Sequence, residues 1–380
     1  MVSEPKLNLD VNASPAVAAE DTRHVYLLSL VLALAYLLIV VYASVQPLRG
    51  WRWPAEEVYG FLTAPWPRYI TLADVLVNVA AYVPLGFMLT LALRLALPPI
   101  AAVLVSVLLT TGASIALESL QMFLPARIAS NIDVLANSSG ALIGALAAPL
   151  FLPARAIGAR LGAWRDRVFL PGAITDIGIV VACLWIITQL NPLMQIFGTG
   201  HLRETFDLPE VIFHTPNRLL SAEAAVVFFN VLGVGLLLST LLRADARRGV
   251  VIAAVIAAAF ACKMLINAVL GKPQGAWAWI TPGATLGLLL GATLLAGLLT
   301  LGQRVRLALA LVFVLLALAA INLAPDNPYF TLPVKLAGGR PSHLLSFSSI
   351  LRALSELWPL IALSYLCVAL WRVMRHAKPL

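Results

Sequence analysis

LADVLVNVAAYVPLGFMLTLALR, residues 72–94, carries Asp74 and Asn78 near its start, Arg94 at its end and no other charge between. A bilayer core about 30 Å thick takes about 20 apolar residues in helical form. This stretch has that length, and it does not alternate with period two as a barrel strand would. Nine other stretches share its character: 25–45, 99–123, 131–152, 174–192, 221–243, 249–269, 280–301, 306–324 and 349–371. The expected fold class is all-α, a polytopic transmembrane helix bundle of about ten spans. Composition agrees. The 380 residues are 61% hydrophobic and only 12% charged, with mean hydropathy +0.92, whereas soluble domains are about a quarter charged. A water-soluble domain is excluded.

The formal net charge is +8. In a soluble protein that balance would point to nucleic acid. Here it fits basic loops beside an anionic membrane surface, and no nucleic-acid partner is expected. With the N-terminus inside, 15 Lys and Arg fall in inner segments, 9 in outer segments and two within spans. This bias predicts a bacterial-type cytoplasmic (inner) membrane protein with both termini cytoplasmic. Residues 1–22 then form a cytoplasmic tail and 153–173 a cytoplasmic loop. The outer loop 46–71 is rich in aromatics, including Trp51, Trp53, Tyr59 and Trp66, which suit the headgroup layer. Within it, PAEEVYGFLT (54–63) is expected to form a short interfacial helix. Cys183, Cys262 and Cys367 lie in apolar runs without metal-like spacing and are expected to be small buried hydrophobes.

The chain shows signs of a degenerate four-helix internal repeat. SVQPL (44–48) ends the first span and QLNPL (189–193) the fifth. Asn78 and Asn230 open similar runs, and GALIGA (140–145) is echoed by GLLLGA (287–292). WPL (358–360) echoes VPL (83–85). The expected units are 23–152, 174–303 and a C-terminal two-helix unit, 304–380. In the second unit, Lys263–Asn267 stands against Glu118–Gln121 and Thr281–Thr285 against Asp133–Asn137, so the acids of the first unit have no counterpart there. A single site is expected in the first unit.

Asp74 and Asn78 are four apart on one helix, as are Asp133 and Asn137, while Glu118 and Gln121 are three apart. The up-and-down order of the spans brings all six to the outer leaflet, together with Arg127 in the turn PARIASNI (125–132). An ionisable group within a span costs about 2.5–3.5 kcal/mol on insertion scales, so Glu118 needs a partner or a wet cavity. Arg127 is the nearest candidate, and its forked guanidinium suits a carboxylate or a phosphate. Plainer roles compete. Asp74 and Asp133 fit first-turn positions favoured by the helix dipole. Asn78 and Asn137 could bridge helices. Gly140 and Gly144 fit close packing, and Pro84 within its span predicts a kink.

The order DVLVNVAAYVPLGF (74–87), SIALESLQ (114–121), Arg127 and NIDVLANSSGALIG (131–144) resembles the VanZ-like family of membrane proteins over about residues 25–152. The family takes its name from a protein conferring low-level resistance to the glycopeptide teicoplanin. The resemblance implies that Asp74, Asn78, Glu118, Gln121, Arg127, Asp133 and Asn137 are signature positions. It implies nothing about the remainder of the chain.

Other candidates are weaker. His201, Glu204, Asp207, Glu210 and His214 could hold a metal, but solvated loop residues are favoured. Lys335 and Arg340 could meet a lipid phosphate. Arg352 and Glu356 fit an i,i+4 pair. The chain has no Walker A, GxSxG or H-E-x-x-H motif, and no cofactor or resident metal is expected. Three readings stay open. In the first, the protein binds or handles an amphipathic, lipid-linked envelope molecule. Arg127 would meet an anionic headgroup, and Asp74, Asn78, Gln121 and Asn137 would line the pocket. In the second, Glu118 and Asp133 do acid–base catalysis on such a substrate. In the third, Glu118 carries the proton of a coupled transporter. Membrane lipids are the expected partners.

Overall fold

The computed structural model describes the backbone of residues 15–45, 50–55, 57–66, 72–125, 127–152, 156–191, 194–203, 215–269, 275–277, 279–325 and 344–375. Among these the regular structure is helical, with no strand. The helices are α1 (Pro15–Val45), α2 (Leu72–Leu93), α3 (Pro99–Gln121), α4 (Asn131–Ala147), α5 (Ala156–Val168), α6 (Ala173–Thr188), α7 (Pro216–Leu241), α8 (Arg248–Val269), α9 (Pro282–Leu298), α10 (Gln303–Leu323) and α11 (Leu344–Arg375). Seven are long and apolar enough to cross a membrane, namely α2, α3, α4 with its 3₁₀ extension, α7, α8, α10 and α11. Three shorter apolar helices, Ser29–Val45, Ala173–Thr188 and Pro282–Leu298, fall on the other predicted stretches. The chain divides into two compact units, Met1–Gly162 and Ala163–Leu380.

Three local expectations change. Helix α1 begins at Pro15, inside the polar stretch assigned to a tail. The interfacial helix expected over 54–63 is a single 3₁₀ turn, Gly60–Leu62, that buries Phe61. A segment that short, opened by Pro54 and interrupted by Gly60, cannot sustain helix nucleation. Cys183 and Cys367 are exposed and Cys262 is half-buried. Their apolar surroundings are the outer faces of helices, because hydropathy alone does not distinguish a lipid-facing position from a buried one.

In the first unit, α2 and α4 touch backbone to backbone. A Cβ on Gly140 would stand 2.1 Å from the Val79 carbonyl oxygen, and one on Gly144 2.0 Å from that of Val83. Gly86 meets Ala141 in the same way from the other side. These are the small-residue contacts by which membrane helices associate when water gives them no hydrophobic drive. Helix α3 is turned inside out. Ile100, Leu104 and Leu108 are exposed, while Ser106, Thr110, Ser114 and Glu118, spaced by four, are buried. Helix α2 continues through Pro84. Proline has no N–H, so the Ala80 carbonyl loses its helical donor. At the adjacent carbonyl, Ala81, the Tyr36 hydroxyl donates at 2.8 Å.

In the second unit, the C-terminal half of α7 is buried without a break from Asn230 to Leu241, as an encircled helix should be. Helices α9 and α10 pack against it, and α11 packs on α6 and α10. Arg352 and Glu356 form the expected i,i+4 pair at 2.7 Å. Of the metal-candidate loop only His201 lies within the described residues. Glu204, Asp207, Glu210 and His214 lie outside them, as do Lys335 and Arg340.

The irregular segment 194–203 is buried from Ile196 to Gly200. Non-helical backbone inside a membrane bundle must find its hydrogen bonds in the protein. Phe197, at φ 61°, is held by the Gln189 side chain, which accepts from its N–H at 2.8 Å. Asn322 donates to Gly200 O at 2.7 Å and accepts from Leu202 N at 2.9 Å. The fully buried Lys263 donates to Asn191 O at 2.7 Å and to Met194 O at 2.5 Å. Lys263→Met keeps the volume but leaves both carbonyls without that donor, at about 1–3 kcal/mol each. The variant is expected to melt several degrees below wild type in a chromatographic thermal-shift assay. An unchanged melting temperature would show that the ammonium does not hold this segment.

Candidate functional site

Helices α1 and α3 end, and α2 and α4 begin, at the same end of the first unit. The side chains predicted from sequence meet there. The α4 N-terminus organises them. Ser130 is its N-cap, and its hydroxyl accepts from Ile132 N at 3.2 Å. The Ser130 N–H in turn donates to Glu118 Oε2 at 3.0 Å. Glu118 thus serves α4 as the third residue of a capping box would, but from a neighbouring helix. Asp133 lies in the first turn of α4, where the helix dipole favours an acid, and accepts from Asn78 Nδ2 at 2.8 Å. Glu118 and Asp133 are 5% and 7% exposed, so neither charge is left to bulk water.

The donors of the site also hold α1. Arg127 Nη2 donates to Ala43 O at 3.0 Å and Gln121 Nε2 to Ser44 O at 3.1 Å. These are among the last carbonyls of a helix, which have no intrahelical donor and carry the negative end of its dipole. Arg127 also interacts electrostatically with Glu118. Burial lowers its proton affinity and the Glu118 charge works against that, so the guanidinium stays cationic. Deeper in, Asn137 Nδ2 donates to Ser114 Oγ at 2.9 Å. The Tyr82 hydroxyl is in hydrogen-bonding contact with Ser114 and in electrostatic reach of Glu118 and Asp133. Asn137 Oδ1 is buried without a hydrogen-bond partner among the described residues.

Six of the seven predicted residues, Asn78, Glu118, Gln121, Arg127, Asp133 and Asn137, therefore sit in one network. Asp74 is on the first turn of α2, but its side chain lies outside the described residues. Tyr36, Tyr82, Ser114 and Ser130 belong to the network and were not singled out from sequence. The signal for Ser114 was there to find, since Ser106, Thr110, Ser114 and Glu118 form one stripe at helical spacing. Gly140 and Gly144 take the packing role expected of them.

The segment between α1 and α2 is tied across this end. Arg52 N donates to Phe123 O at 3.0 Å, Trp53 packs edge-on against Phe123, and Asn131 Nδ2 donates to Ala64 O at 2.7 Å. Trp51, Trp53, Tyr59 and Trp66 remain exposed. Among the described residues no cluster of His, Cys, Asp and Glu is arranged to hold a metal ion.

The first unit is thus a membrane-embedded helical unit that turns its polar side chains inward, toward a charged network at one end. Residues 25–152 match the family model described as VanZ/LLP1. A VanZ-like domain therefore occupies the first unit, and the apolar helices make the chain a multi-pass membrane protein. No match is found among curated proteins or among solved structures.

Proposed function

We propose that the VanZ-like unit binds or handles an amphipathic, lipid-linked cell-envelope molecule in a polar pocket at the outer leaflet of the inner membrane, with both termini cytoplasmic. The supporting observation is the position of Arg127. It is half-buried at the membrane end of the unit, beside Glu118 and the last carbonyls of α1, under a loop whose exposed tryptophans suit the headgroup layer. A phosphate or carboxylate headgroup is a better partner for a guanidinium than a neutral carbonyl is. Such a ligand would draw Arg127 from Ala43, with Gln121 and Asn137 adding hydrogen bonds and Glu118 orienting the arginine. The link to glycopeptide resistance follows from the VanZ-like match alone.

The test is native mass spectrometry of the purified protein with an undecaprenyl-phosphate-type lipid. Wild type should retain the lipid and Glu118→Gln should retain less, with equal folded yield. Equal retention by both proteins would remove Glu118 from the site.

A second reading is an acid–base enzyme acting on the same substrate class. Its support is that two carboxyls, Glu118 and Asp133, lie buried beside one phenol, Tyr82. Turnover of the lipid by wild type, lost in Asp133→Asn, would favour it over binding alone.

A further inference from the structure

In the second unit the last turn of α7 lies against the start of α10 and is joined to the start of α8 by the short turn 242–247. Donors from other segments meet its terminal carbonyls. Leu170 N donates to Leu241 O at 2.8 Å, Gln303 Nε2 to Thr240 O at 3.4 Å and Arg306 Nη1 to Ser239 O at 2.7 Å. Arg306 is thereby drawn into the protein and is only 5% exposed. The negative end of the α7 dipole offsets part of its charge. Its Nε is buried with no hydrogen-bond partner among the described residues.

A second cation stands beside it with less support. Arg248 opens α8 and is half-buried. Its Nε is likewise buried without a partner among the described residues. The charge that acts on Arg306 is that of Arg248, and no described acid acts on it. Both arginines stand at helix starts, Arg248 first in α8 and Arg306 fourth in α10, where the dipole opposes a cation and favours an anion. No side chain caps α10. The acids described at this end are matched to other arginines. Arg165 holds Asp166 at 3.0 Å and Asp176 at 2.6 Å, and Arg243 holds Asp245 at 3.6 Å. Two guanidiniums within electrostatic reach and partly shielded from water repel each other unless an anion joins them. The surroundings leave room for one. A Cβ on Gly249, next to Arg248, or on Gly302, at the N-cap of α10, would meet nothing within 4 Å.

We infer that Arg248 and Arg306 form an anion site distinct from the VanZ-like pocket, and that its ligand is a phosphate group, carried by an acidic phospholipid or free in water. A guanidinium fork engages two phosphate oxygens at once. Basic recesses between membrane helices take acidic headgroups in this way. Trp371, exposed near the end of α11 with the Arg375 guanidinium 4.0 Å above its ring, suits a headgroup layer at this same end and favours the phospholipid as the source.

The test is the melting temperature of the full-length protein in neutral detergent with phosphatidylglycerol, with phosphatidylcholine, or with inorganic phosphate, at matched ionic strength. Phosphatidylglycerol should raise it by a few degrees over phosphatidylcholine. Arg248→Glu supplies Arg306 with an internal anion at a helix start that favours one. This variant should melt above wild type without added lipid and should lose the phosphatidylglycerol response. Arg304→Gln removes an exposed charge from the same helix start as Arg306 and should keep the response. Glu118→Gln, in the VanZ-like pocket, should keep it too, so the two sites fail independently. A response to phosphatidylglycerol alone makes the headgroup the ligand, and a response to inorganic phosphate as well makes the free anion one also. Response to neither, a response that survives Arg248→Glu, or one that Arg304→Gln loses as fully as Arg248→Glu overturns the inference.

Discussion

Gly140→Val should abolish accumulation of folded protein, and Gly140→Ala should lower the melting temperature sharply. Position 140 has no room for any side chain, because the first carbon added would lie 2.1 Å from a backbone oxygen of α2. Neither partner is a flexible tip that could swing aside. The helices would have to separate along their whole contact, disturbing Gly144 on Val83 and Gly86 on Ala141 as well. Overpacking a well-filled core costs about 1–3 kcal/mol, and a backbone-to-backbone contact belongs at or above the top of that range. Gly112→Ala on α3 is the matched control. Nothing lies within 4 Å of its Cβ position. That change should be neutral or stabilising, by up to about 1 kcal/mol of helix propensity. Folded yield by fluorescence-detected size exclusion reads both. Equal yields for Gly140→Val and Gly112→Ala would refute the α2–α4 contact.

Glu118 should separate charge from hydrogen bonding. Glu118→Gln keeps an acceptor for the Ser130 N–H and removes the charge beside Arg127. It should fold with a loss of about 1 kcal/mol. Glu118→Leu leaves the Ser130 N–H buried without its acceptor and Arg127 without its anionic neighbour, and breaking a buried charged arrangement costs about 3–5 kcal/mol. The leucine variant should therefore be recovered in much lower yield than the glutamine variant. If the two melt together, Glu118 does not cap α4.

The helical, multi-spanning character was legible because apolar runs of spanning length have few alternatives. The meeting of Glu118, Arg127, Asp133 and the three carboxamides was legible too, since up-and-down connectivity with short turns decides which ends coincide. Their partners were not. Asn78 could as well have faced a ligand as Asp133, and spacing carries no information about which. The hydroxyl stripe Ser106–Thr110–Ser114 was overlooked because serine and threonine are unremarkable in membrane helices. Glu223, buried on α7, was passed over because the matching of apolar letters set Asn230 against Asn78 and drew no attention to the helix start. Segment 194–203 was beyond reach for a different reason, since its hydrogen-bond partners are contributed by residues far along the chain.

That last fact bears on how the protein is made. The Gly200 N–H donates to Ser355 O at 2.8 Å, and Asn322 secures Gly200 O and Leu202 N. When residue 200 leaves the ribosome, neither Asn322 nor Ser355 has been synthesised. The amides of this stretch must stay with water or the insertion machinery until the last helix arrives, so the second unit can close only after nearly the whole polypeptide has been translated.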